Sequence, residues 1–200
     1  PDDRPFGPEE RRRCWRVLEE VADLFCVRIV AAVVMGNHLH LIVVQPAEPP
    51  TEEEVCRRYE RYYRGRRKLV VGTAECRRWQ QRLSDISWMM RILKGRLTLG
   101  FNRFSGRRGP FWADRFRSVV LGNAEAIWNC WKYVEANPVR AGIASRLGQY
   151  SDGTLGKWVR QGAHPWAGEI EDVVLRWLGE YLGVRRLEEV KARLLAGLVN

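Results

Sequence analysis

The sequence has no apolar run long enough to cross a bilayer. Such a span needs about 18 consecutive apolar residues. The longest candidates, Ile29–Met35 and Leu39–Val44, are separated by Gly36-Asn37-His38. There is no Cys-x-x-Cys pair either. Cys14, Cys26, Cys56, Cys76 and Cys130 are scattered and odd in number. That fits a reducing cytoplasm and argues against a disulfide framework or a structural zinc site. No internal repeat or low-complexity tract is present, and Pro1-Asp2-Asp3-Arg4-Pro5 does not read as a secretory leader. Histidine is rare, with only His38, His40 and His164 in the 200 residues. That length supports one domain with a sizeable core and an appendage, and 46% apolar content is ordinary for a globular protein.

Two of the three histidines stand one residue apart in Val33-Val34-Met35-Gly36-Asn37-His38-Leu39-His40-Leu41-Ile42-Val43-Val44. In a strand, side chains alternate between faces, so His38 and His40 share one and Leu39 and Leu41 take the other. Imidazoles roughly 6–7 Å apart along a strand can converge on one cation. A solvent-facing pair, or two rings satisfied by backbone carbonyls, has the same spacing.

The net charge of +10 is unevenly spread. Arg57–Lys68 holds seven basic residues against Glu60, and Arg91–Arg117 holds eight against Asp114, so the rest of the chain is slightly acidic. A local, arginine-rich excess interleaved with aromatics is the footprint of a polyanion binder. The bland counterpart is a solvated helix face. Ser105-Gly106-Arg107-Arg108-Gly109-Pro110 is a basic glycine-rich loop, suited to phosphate contact or to simple connection.

Periodicity predicts a helix over Pro8–Phe25, a strand over Val27–Met35, and a hairpin into the histidine strand through Gly36-Asn37. Thr51-Glu52-Glu53-Glu54 has capping-box form and opens a helix to about Arg64. Residues Ala74 to about Arg103 read as one long helix, and Phe116–Leu121 as a strand. Asn123 is an N-cap candidate for a helix ending at Ala136, ahead of Pro138. On it, Trp128, Trp131 and Val134 form one stripe, and Asn129, Tyr133 and Asn137 another. Tyr150–Gly162 reads as loop, followed by amphipathic helices over Glu169–Leu182 and Arg186–Val199.

Two stretches together resemble the REP-associated tyrosine transposases, a branch of the HUH single-strand DNA nucleases. One is Met35-Gly36-Asn37-His38-Leu39-His40-Leu41-Ile42-Val43. The other is Gly109-Pro110-Phe111-Trp112-Ala113-Asp114-Arg115-Phe116-Arg117, followed by Tyr133-Val134-Glu135-Ala136-Asn137-Pro138-Val139-Arg140-Ala141-Gly142. The resemblance covers roughly residues 8–160. It implies an α+β, ferredoxin-like (HUH/RRM-like) fold, a small antiparallel sheet with helices packed on one face. Residues 1–160 would form the transposase-like domain and 161–200 a helical C-terminal tail. Pro1–Gly7 is too short and proline-rich for the family's first strand, and Arg57–Glu75 resembles an insertion.

By the same resemblance, Tyr133, His38 and His40 match catalytic positions, and His38, His40 and Asn137 match metal ligands. Trp112, Arg115 and Arg117 match a basic-aromatic segment near DNA. With Arg91, Lys94, Arg103, Arg107 and Arg108 they make the expected DNA-binding set. The implied cofactor is a divalent metal, Mg2+ or Mn2+. The implied partner is single-stranded or hairpin DNA, with palindromic repeat elements as targets. Self-association is open, no membrane is involved, and the location is cytoplasmic, at a prokaryotic nucleoid. A phenol ionises near pH 10, so a tyrosine nucleophile needs a cation on the scissile phosphate. Attack would give a 5′-phosphotyrosine and a free 3′-OH, reversible without ATP. The alternative is a domesticated, inactive nucleic-acid binder of the same fold. A metal-binding module unrelated to nucleic acid leaves the basic runs unexplained.

Overall fold

The computed structural model describes residues 6–106, 108–109, 111–112 and 116–197. Among these the chain is α+β, with one two-stranded antiparallel sheet and eight α-helices. No helix among the described residues is long and apolar enough to cross a membrane. The chain divides into two compact units, one helical (residues 8–28 and 44–117) and one containing the sheet (residues 1–7, 29–43 and 118–200).

The helical unit begins with α1, Pro8–Leu24, which buries Cys14, Leu18 and Val21 along one stripe. The second helix, α2, Glu52–Tyr62, starts as the capping box predicts, with Thr51 Oγ1 accepting from Glu54 N at 3.2 Å. Arg58 on α2 closes the far end of α1. Its Nη1 donates to the carbonyls of Ala22, Asp23 and Phe25 at 3.0, 3.2 and 2.9 Å, and its Nε bonds Glu54 at 2.6 Å. One arginine thus satisfies carbonyls that a helix end leaves orphaned.

The expected single helix over 74–103 is instead two, α3 (Ala74–Leu83) and α4 (Ile86–Ser105). The break falls at Ser84-Asp85. Asp85 Oδ1 accepts from Ser87 N at 2.6 Å and Trp88 N at 3.2 Å, so this carboxylate caps a new helix. The apolar repeat runs through the break, which hides it from a periodicity count. Cys56 and Cys76 bring their sulfurs to 3.5 Å, and burial first, then Cys56, pushes the Cys76 thiol up to about 12.

In the other unit, β1 (Arg28–Val34) and β2 (Leu39–Val44) form the expected hairpin, closed by Met35 N donating to His38 O at 2.9 Å. Every residue of β1 from Ile29 on is buried, because its second edge is covered too. Val33 pairs with Gly153, Val34 N donates to Asp152 O at 2.9 Å, and Thr154 Oγ1 bonds both Ala32 N and Ala32 O. A short bridge therefore stands where a third strand could lie. The expected strand at Phe116–Leu121 does not form. That stretch has β-branched residues but no partner strand, and Val119 and Val120 are 84% and 93% exposed.

The helix α5 spans Ala124–Arg140, and Asn123 caps it by accepting from Ala126 N at 2.8 Å. It runs past its expected end at Ala136, with Pro138 inside. Proline lacks the N–H that would bond the Val134 carbonyl. Asn137 Nδ2 turns back to cover the gap, 2.8 Å from Tyr133 O and 3.5 Å from Val134 O.

A short helix, α6 (Thr154–Gln161), occupies part of the expected loop. Its Gly156 lies so close to the backbone of residue 150 that a Cβ would sit 1.8 Å from the Tyr150 carbonyl oxygen. The remaining helices are α7 (Ala167–Leu182), packed on α5, and α8 (Leu187–Ala196), packed on α7.

The core of this unit joins β1 to Trp131, Trp158, Ile170, Leu178, Val190 and Leu194. His164 is buried beside Trp131, Trp158 and Trp166. It donates from Nε2 to Val30 O at 3.0 Å and accepts from Trp166 N at Nδ1, and burial pushes its pKa down to about 4. Its bonds are those of a satisfied core imidazole.

Candidate active site

The hairpin turn and the outer face of α5 place the sequence-predicted site residues together. His38 precedes the first residue of β2, and His40 is its second. Both point to one face, as strand alternation requires, with ring centroids 4.8 Å apart and perpendicular planes. Their Nε2 atoms are 3.0 Å apart. Asn37 Oδ1, 2.7 Å from His38 Nδ1, accepts the proton there, which leaves a lone pair on His38 Nε2, the atom that faces His40 Nε2.

Burial lowers the pKa of both rings. For His40 the neighbouring His38 adds to the effect, while a hydrogen bond with Asn137 opposes it. Both rings are accordingly neutral at pH 7, the form that donates a lone pair to a metal.

From α5, Tyr133 brings its ring to 5.9 Å from that of His40, edge to face, and is 47% exposed. Its neighbours Trp131, Val134 and Glu135 are buried. The helix therefore presents the phenol outward while packing its apolar stripe inward. One turn on, Asn137 uses its NH2 on the helix carbonyls, so its Oδ1 is the atom that meets His40. The reverse amide orientation would set oxygen against oxygen. Arg140, another turn along, lies with its guanidinium carbon 5.2 Å from the Tyr133 ring centroid.

These donors fit a divalent ion. Two ligands about 2.1 Å from one octahedral ion, at right angles, are about 3.0 Å from each other. A tetrahedral pair at similar bond length is about 3.4 Å apart. The observed 3.0 Å is the length of a hydrogen bond between the two rings and equals the octahedral spacing, so an ion would replace that shared proton with little movement of the rings; the donor set at hand is two imidazoles and an amide oxygen. Among the described residues no cluster of three His, Cys, Asp or Glu exists.

The described residues of the expected DNA-binding set belong to the other unit. Arg91, Lys94, Arg103, Arg108, Trp112 and Arg117 belong to the helical unit. Arg91, Arg103, Arg108 and Arg117 are exposed, while the Trp112 indole donates to Lys94 O at 3.2 Å with the Lys94 ammonium 5.4 Å from its ring. Arg107 and Arg115 fall outside the described residues.

Sequence reasoning gave no role to Arg140, although its i+7 spacing from Tyr133 sets it two turns along the same side. Nor did it mark Glu135, a wholly buried carboxyl between the two site residues of α5. Its Oε2 accepts from Leu155 N at 3.2 Å, at the start of α6. Its Oε1 and the Trp131 indole nitrogen are both buried without a hydrogen-bond partner. Burial raises its pKa to about 8, so it is held protonated at neutral pH. Compared with protein-family models, curated proteins and solved structures, the chain matches none.

Proposed function

We propose that this chain is a metal-dependent nickase and strand transferase of the HUH tyrosine type. It would act on single-stranded or hairpin DNA through a 5′-phosphotyrosine, on a ferredoxin-like arrangement of hairpin and α5. The observation that carries the reading is the meeting of His38, His40 and Tyr133 on one face. Two Nε2 atoms stand 3.0 Å apart, and an accessible phenol ring lies 5.9 Å from the nearer imidazole.

His38, His40 and the Oδ1 of Asn137 would hold Mg2+ or Mn2+. When bound, the ion would neutralise charge on the scissile phosphate and steady the five-coordinate transition state. The Tyr133 oxygen attacks phosphorus and gives up its proton. The bond from phosphorus to the 3′ oxygen breaks, and that oxygen takes up a proton. Arg140, beside the phenol, offers a cation to a non-bridging phosphate oxygen. Joining is the reverse reaction with a new 3′-OH and needs no external energy, because the phosphotyrosine retains the diester's bond.

The test is a denaturing gel of the protein with a 5′-overhang DNA hairpin and Mn2+. A covalent adduct is expected with the natural chain and background only with Tyr133→Phe, at unchanged DNA affinity. An adduct that survives Tyr133→Phe removes Tyr133 as nucleophile. Binding without any adduct in the natural chain replaces the enzyme reading with the inactive DNA-binding one.

A further inference from the structure

The helical unit carries a run of stacked rings and guanidinium groups that the candidate active site does not use. On α4 the guanidinium carbon of Arg91 lies 4.9 Å from the Trp88 ring centroid. Arg82, in the last turn of α3, lies 4.7 Å from the same ring and 5.4 Å from that of Trp79, so it bridges two indoles. Trp79 meets Tyr59 of α2 edge-on at 4.9 Å, and Tyr59 meets Tyr63 at 4.6 Å. Arg67 ends the run, 4.8 Å from the Tyr63 ring. The ladder crosses three helices, which is why no one-dimensional pattern shows it.

A guanidinium laid on an aromatic face is held by that face while its N–H edge stays free to donate. The unit's other arginines show what a purely structural use looks like. Arg96 lies over Tyr62 but is neutralised by Glu20 at 2.5 Å, and Arg58 pairs with Glu54 at 2.6 Å. Arg67, Arg82 and Arg91 have no carboxylate partner among the described residues. Arg67 and Arg91 are exposed, and Trp79, Arg82 and Trp88 are half-buried. Aromatic faces alternating with uncompensated phosphate-binding forks are complementary to a polymer that alternates flat bases with phosphates.

We infer that this ladder is a binding track for single-stranded nucleic acid. Bases stack on the exposed guanidinium planes of Arg67 and Arg91, which Tyr63 and Trp88 hold in place, and phosphates take the N–H edges of Arg67, Arg82 and Arg91. The surface uses none of the residues of the histidine–tyrosine site and needs no metal. Its chemistry favours a strand with bare bases over a closed duplex, whose bases are already stacked on one another.

The test uses the full chain and a fluorescent oligothymidylate of about 16 nucleotides, the upper end of single-strand site sizes, titrated over a range of salt. Trp88→Leu should weaken binding about 5- to 150-fold, the range for one lost base stack. Arg82→Gln with Arg91→Gln removes two phosphate contacts and should flatten the log–log salt slope by about 1.4. Both replacements leave a neutral amide in a helical position that tolerates it, so they decide the matter if Trp88→Leu fails to fold. An abasic strand of equal length should bind more weakly than oligothymidylate and be indifferent to Trp88→Leu. Equal affinity for the abasic strand, or an unchanged slope in the double glutamine variant, overturns the inference. Tyr133→Phe and His38→Ala should leave oligothymidylate binding unchanged while abolishing the adduct, so each reading fails on its own measurement.

Discussion

Replacing Glu135 by glutamine should change how stability depends on pH. In the folded chain burial raises this carboxyl to about 8, against an ordinary 4.5, with the Leu155 N–H and the Trp131 indole opposing. Between those two values the unfolded chain releases a proton that the folded chain keeps. Stability contributed by the protonated form is therefore complete below pH 4.5 and drains as pH rises to 8. Each pH unit costs about 1.4 kcal/mol, so the full window is worth at most about 5 kcal/mol. With only 6% of the residue exposed, water screens little of this.

His164 works in the opposite sense. Its folded pKa is pushed down to about 4 from 6.5, so its contribution is complete above 6.5 and is lost as pH falls to 4. Between pH 4.5 and 6.5 the two slopes nearly cancel, and from 6.5 to 8 Glu135 acts alone, removing about 2 kcal/mol. Urea unfolding followed by tryptophan fluorescence across this range checks the arithmetic. Glu135→Gln keeps an acceptor for Leu155 N but cannot ionise. The variant should hold its stability from 6.5 to 8 and lose it only toward acid. A constant offset between natural chain and variant over the whole window would mean that Glu135 is already ionised in the fold, and the reasoning is refuted.

Two further substitutions test the packing that positions the site. Gly156→Ala puts a methyl group 1.8 Å from the Tyr150 carbonyl oxygen, and with backbone on both sides the cost should reach at least about 3 kcal/mol, read as a fall in melting temperature. Arg58→Ala removes the donor to three carbonyls at the end of α1. It should cost about 2–3 kcal/mol in the same measurement while leaving nucleic-acid affinity unchanged, since this arginine is committed internally.

Where local chemistry decides the structure, the sequence was readable. Thr51 and Asn123 cap the helices they precede, and the β-branched run before Gly36-Asn37 pairs back on itself. Where one local signal overrides another, or a distant partner decides, it was not. The Asp85 cap interrupts an unbroken apolar period, and the strand-like run at Phe116–Leu121 pairs with no strand among the described residues. Pro138 stays inside α5 because the side chain of Asn137 covers what the proline exposes. The candidate site divides in the same way. His38 and His40 come together through strand alternation alone, and Tyr133 and Asn137 through helical spacing. That the two pairs face each other depends on the packing of α5, which no pattern in the chain encodes. Glu135 and the arginine–tryptophan ladder depend on contacts between elements throughout.

The proline in α5 also limits what residue 137 can become. An aspartate there would bind a cation more strongly than an amide does, so it is the obvious route to a tighter site. Here one of its oxygens would face the carbonyls of Tyr133 and Val134, where asparagine places its hydrogens. As long as residue 138 is proline, acidity at the preceding position is penalised by the helix itself. If the proposed function holds, the three ligands would all be uncharged, and a divalent ion held by them would bring a net double charge to the phosphate.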